Sequence, residues 1–211
     1  MQWGDATEKN ALPDGLAVVP EGEYVADTIN LIGTPAPRLR AERTWQESLT
    51  SDPYSARTAF EAGWPIATGK SAGMWPIHCY GMVGVGRNLS PDTGTGAELY
   101  TVIGHAPRHL DRNIALVGRV IEGIEHLSSL PRGTGTLGFY ESEAERTPIV
   151  SVRIGADAAD LPAFEYLSTE SASFAAYADA RANRRDPFFN VPAGGADICN
   201  IPVPVRRKAV P

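Results

Sequence analysis

The sequence is short of positive charge, of cysteine and of long apolar runs, and each shortage excludes a class of protein. Basic side chains number 19 against 25 acidic ones, a net charge of −6. A protein that grips nucleic acid through its phosphates carries the opposite balance. The longest charge-free stretch, residues 71–86, is too short and too interrupted by Gly and Pro to span a membrane. Two cysteines build neither a zinc ribbon nor a disulfide scaffold. The chain opens Met1-Gln2-Trp3-Gly4-Asp5, without the basic and apolar regions of a signal peptide.

What is present describes a globular chain. Its 211 residues suit one domain, or one domain with an appendage, and are enough to bury a core without disulfides. Apolar residues make up 43% and charged ones 21%, which argues against disorder. The 21 glycines and 17 prolines exceed the usual share, and such punctuation suits short strands and turns better than a helical bundle.

The pattern predicts a helix within residues 44–62, with Ser51 or Asp52 as its cap before Pro53. Strands are expected at residues 79–85, 99–103, 114–120 and 148–154, the last from the alternation of Ile149, Val150, Val152 and Ile154. Apolar residues at 121, 124, 127 and 130 follow the helical period, and Pro131 ends that helix. Residues 169–185 read as an Ala-rich helix capped by Thr169 or Ser171, and residues 200–206 as extended chain. Residues 181–211 carry six basic and two acidic side chains, so a basic tail faces an acidic remainder of net −10.

Three local motif matches fail on context. Gly69-Lys-Ser71-Ala-Gly73 fits a nucleophile elbow, but Gly73 and Pro76 leave no helix to follow the serine. Gly133-Thr-Gly135-Thr-Leu-Gly138 follows a helix and precedes an aromatic strand, the reverse of a dinucleotide loop, so it is read as a turn. His105 and His109 are four apart, but Pro107 lies between them and breaks any helical metal pair.

A longer constellation carries more weight. Gly81-Met-Val-Gly-Val-Gly86, then Gly94 to Gly104 with Glu98-Leu-Tyr100-Thr-Val-Ile at its centre, then His109-Leu110-Asp111, Val117-Gly118, Val120 and Gly123 resemble the second half of a cyclophilin-type peptidyl-prolyl isomerase, the last of these segments in spacing as well as type. Met1 to Asp5 resembles that family's "M-x-Q-G-G-D" segment, and residues 149–154 its closing strand. The resemblance, to a divergent bacterial branch, covers residues 1–157 with a long insertion at about 6–75. Residues 158–211 form a C-terminal extension with one helix.

The resemblance implies a mainly β fold: a cyclophilin-like antiparallel β-barrel with a few helices. The segments that precede "Q-G-G-D" in the family, including its "F-H-R" arginine, have no counterpart here, so the barrel is expected to be N-terminally incomplete. The implied function is cis–trans isomerisation of X–Pro bonds in polypeptides. The amide barrier of roughly 20 kcal/mol falls when a pocket grips the proline ring and a cation stabilises the pyramidal imide nitrogen. That chemistry needs no metal, cofactor or covalent step.

Residue by residue, Gln2 matches the family's site glutamine and Tyr100 replaces the phenylalanine of the pocket floor. Leu110 matches the pocket leucine, and His109 stands where the family has Trp or His. Gly86 lies where a small residue admits the substrate backbone. Glu98 replaces a glutamine, and Ile114 a histidine. Arg87, next to Gly86, is a candidate for the missing arginine's task. With that arginine absent, the alternative is a catalytically weak proline-peptide-binding or chaperone-like module. Cys79 and Cys199 are candidates for a disulfide tying the extension to the core. If they are paired, an oxidising compartment is expected, most simply a periplasm, and otherwise the cytoplasm.

Overall fold

The computed structural model describes residues 1–5, 9–26, 52–69, 73–158 and 160–209. Among these residues, nine short strands form three antiparallel sheets. The largest has the order β1-β6-β5-β7, made of β1 (Gln2–Gly4), β6 (Glu98–Thr101), β5 (Met82–Val85) and β7 (Leu116–Arg119). Its register sets Gln2 opposite Tyr100 and Tyr100 opposite Gly84, with Leu116 beyond Gly84. Directly opposed residues share a face, and so do residues two apart along a strand. Gln2, Tyr100, Gly84 and Glu98 are therefore neighbours on one surface.

The second sheet is a meander of β2 (Arg57–Glu61), β3 (Trp64–Thr68) and β4 (Met74–Pro76). The expected helix over residues 44–62 is corrected where the structure can test it. Residues 44–51 lie outside the described residues, and Arg57–Glu61 is a strand. The local reason is the two-residue turn Ala62-Gly63, with φ of 47° and 83°, whose left-handed pair matches the twist of a hairpin. That hairpin buries Ala59, Phe60, Ile66 and Ala67, a gain that an isolated helix here lacks. Lys70 to Ala72 of the elbow-like motif also lie outside the described residues.

The strands and helices otherwise run shorter than their sequence patterns. Residues 79–81 turn rather than extend, because the strand begins at Met82. The helix expected from residue 121 is α1 (Ile124–Ser128), which starts after Gly123. Residues 148–154 are not a strand. They join no sheet, and Val150 is 95% exposed. Alternation alone does not make a strand where no partner backbone takes up its hydrogen bonds. Residues 133–139 close a tight turn through hydrogen bonds from Gly133 to Gly138 and from Gly135 to Phe139.

The C-terminal part belongs to the same core. Helix α2 (Ala172–Ala182) is capped by Ser171, whose side chain accepts the Phe174 N–H at 3.1 Å. Phe174, Ala178 and Ala182, spaced by four, form its buried face. Phe174 packs edge-on against Phe60 of β2, with ring centres 5.0 Å apart. Ile198 and Ile201 join Trp75, Ile77, Met82 and Val102 in the same buried cluster. Cys79 and Cys199 are disulfide-bonded. The last sheet pairs β8 (Phe164–Tyr166) with β9 (Val205–Arg207), and Arg207 of the basic tail pairs with Glu122 of the body. Among the described residues, no helix is long and apolar enough to cross a membrane.

Candidate functional site

One cleft of about 510 Å³ lies over the face of the large sheet. Gln2, Gly86, Tyr100, Leu110 and Ile114 all line it. The opposite wall comes from the end of α1 and the turn after it, with Leu130, Pro131, Phe139 and Tyr140. Glu98 sits at the rim, where its carboxylate accepts a hydrogen bond from the Gln2 side-chain amide. His109 is exposed and is not among the cleft's lining residues. The structure thus brings together five of the seven pocket residues expected from the sequence, with a sixth at the edge. No group of three metal-ligating side chains, His105 and His109 included, occurs among the described residues.

Each lining residue has a local reason for its position. Gly86 donates its backbone N–H to the Glu98 carbonyl at 2.8 Å, which extends the β5–β6 ladder to the rim. A side chain at Gly86 would run into the Glu98 carboxylate. Leu110 ends a 3-10 turn, Arg108–Leu110, that follows Pro107. The Asn113 amide holds the next turn by donating to the His109 and Asp111 carbonyls, both at 3.1 Å. Arg112 takes a φ of 67°, a conformation that favours glycine, and its guanidinium stacks on Trp75 at 4.7 Å.

Among the described residues, two arginines line the cleft. Arg87 donates from Nε to the Asn113 carbonyl at 2.9 Å and from Nη1 to the Asn88 carbonyl at 2.7 Å. Arg132, which the sequence pattern did not single out, donates to the Leu137 carbonyl at 3.0 Å.

A chain of buried polar groups runs away from the floor. Tyr100 Oη lies 2.7 Å from His78 Nε2. The other ring nitrogen, Nδ1, lies 2.9 Å from Asp111 Oδ1. Asp111 also accepts the His78 backbone N–H at 3.0 Å and Arg108 Nε at 2.6 Å. Arg108 continues to Asp52 at 2.7 Å. The Asp111 carboxylate can only accept, so Nδ1 carries a proton, and in the neutral ring Nε2 is then the acceptor for the Tyr100 hydroxyl. Burial pushes the Tyr100 phenol well above its ordinary value, and the negative charge of Asp111 adds to the shift. Burial opposes the Arg108 charge, but its bonds to Asp111 and Asp52 outweigh that and hold the guanidinium protonated more firmly than usual. No periodic pattern marks this polar relay: His78 sits in an apolar run, and Asp52 is remote from it.

The structure is similar to cyclophilin AquaCyp293 from Hirschia baltica, with a TM-score of 0.60 over 99% of this chain and 73% of that one, at 20% identity. No family model matches the chain, and no curated protein matches it.

Proposed function

We propose that the chain is a cyclophilin-type peptidyl-prolyl cis–trans isomerase that takes proline-containing polypeptide segments. The observation that carries this reading is the common cleft of Gln2, Gly86, Tyr100, Leu110 and Ile114, with a guanidinium beside it. Tyr100, Leu110 and Ile114 supply apolar surface for a proline ring. Gln2 and the backbone at Gly86 supply hydrogen-bonding groups for the flanking peptide. Arg87 is the cation assigned to the imide nitrogen, where positive charge favours the pyramidal form and breaks amide conjugation. On this reading the two larger sheets are walls of a cyclophilin-type barrel, residues 1–157 carry the cleft, and residues 158–211 brace it. The Cys79–Cys199 bond suits an oxidising compartment such as a periplasm.

The test is kcat/KM for a short X–Pro peptide in the wild type, Arg87→Ala and Arg132→Ala. Loss of one transition-state donor costs on the order of 10²-fold. That loss is expected for Arg87→Ala, with Arg132→Ala close to wild type. Equal rates in all three remove Arg87 from the mechanism.

A second reading has its own observation. Arg87 and Arg132 are both tethered to backbone carbonyls, so neither guanidinium is wholly free to serve a substrate. A proline-peptide-binding or chaperone-like module follows if the cleft binds peptide without accelerating exchange.

A further inference from the structure

We propose that His78 is a positioning residue for the cleft: it holds the Tyr100 hydroxyl inward, so that the ring presents an apolar floor to a proline side chain. The inference rests on the reading of the cleft as a proline site and deepens it.

A tyrosine at the floor of an apolar pocket brings a hydroxyl that a proline ring cannot satisfy. Left in the cleft without a partner, that hydroxyl loses its water and weakens binding. Here it is drawn across the sheet instead. Gly84 lies directly opposite Tyr100, and a Cβ at Gly84 would stand 2.3 Å from the hydroxyl oxygen and 2.4 Å from Cζ. The ring thus crosses β5 where no side chain obstructs it. It reaches His78, which is 1% exposed, with the two ring planes within 5° of parallel.

The rest of the polar chain fixes the acceptor. Asp111 accepts hydrogen bonds from both Nδ1–H and the backbone N–H of His78, which fixes the ring orientation and leaves Nε2 of the neutral ring facing Tyr100. Arg108 clamps Asp111, and Asp52 clamps Arg108. None of His78, Asp111, Arg108 and Asp52 lines the cleft. His78 therefore acts on a substrate through Tyr100, whereas Arg108 and Asp111 also flank Leu110 in the turn that carries it into the cleft.

The experiment is a double-mutant cycle of Tyr100→Phe and His78→Phe, read as the Kd of a proline-containing peptide. His78→Phe in the wild type strands the hydroxyl and should weaken binding about tenfold. In the Tyr100→Phe background there is no hydroxyl to hold, and the same change should cost less than about twofold. An equal loss in both backgrounds means that His78 acts only through general packing, and overturns the proposal.

Nitrogen-15 spectra of the wild-type imidazole test the link without peptide and without relying on a His78 variant to fold. An unprotonated Nε2 signal that shifts on Tyr100→Phe is expected. A protonated Nε2, or one indifferent to that change, overturns the proposal. If the wild type binds no proline peptide, the cleft reading fails, and the floor's role with it, while the nitrogen spectra still report whether His78 holds Tyr100. Binding with an additive cycle removes the His78 inference alone.

Discussion

Arg108 is the guanidinium between two buried carboxylates, Asp52 and Asp111. Its side chain and those of Asp52 and Asp111 are each no more than 6% exposed. Removing one partner of such a group leaves an uncompensated charge, so Arg108→Met should destabilise the protein by about 3–5 kcal/mol in denaturant unfolding. Asp52 extends the effect to pH. Burial raises its proton affinity, but hydrogen bonds from Ser55, the Tyr54 backbone and Arg108 outweigh burial and hold it below the usual range. A depressed carboxylate contributes stability that is complete above its unfolded value and is lost as pH falls through its folded one. The melting temperature should therefore fall below about pH 4, more steeply in the wild type than in Asp52→Asn. Parallel curves contradict the assignment. The sequence named Tyr100 and Leu110, which lie in a recognisable run. It could not name His78 or Asp52 as their support, because that link is made by tertiary contact across 33 residues to Asp111 and 56 more from Arg108 to Asp52.

At the scale of elements, helix α2 and the disulfide bind the C-terminal segment to the sheets. Phe174 is fully buried against Phe60, so Phe174→Ala should cost about 3–5 kcal/mol. The disulfide joins residues 120 apart. In the chain-entropy account, closing a loop of about 100 residues is worth about 4.7 kcal/mol, so Cys79→Ala with Cys199→Ala should lower the unfolding free energy by about 3–5 kcal/mol and the midpoint with it. An unchanged midpoint contradicts that account. Arg119 adds a third tie: it lies 5.1 Å from the ring of Trp64 in β3 and 4.9 Å from that of Tyr166 in β8. The helix α2 was legible because its Ala-rich composition and its cap are local features. The β2–β3 hairpin was not, because its short apolar run fits either a helix or a strand until the Ala62-Gly63 turn decides. Residues 148–154 show the opposite failure, a strand pattern without a partner strand.

For the whole molecule, the fold class was legible and the way it closes was not. A high share of Gly and Pro with β-branched runs predicts short strands, and the structure holds nine of them among the described residues. The grouping into sheets depends on pairings between distant segments, such as Gln2 with Tyr100, which no local pattern encodes. That pairing makes the cleft, since it carries the N-terminal glutamine to the tyrosine of β6. The function proposed for the cleft rests on what it does to a prolyl bond. The most direct measurement is the exchange between cis and trans forms of an Ala-Pro peptide, followed by magnetisation transfer with catalytic amounts of the protein. The account predicts exchange faster than the uncatalysed tens to hundreds of seconds, in proportion to protein added and abolished by heat unfolding. Exchange at the uncatalysed rate at every protein concentration would contradict it.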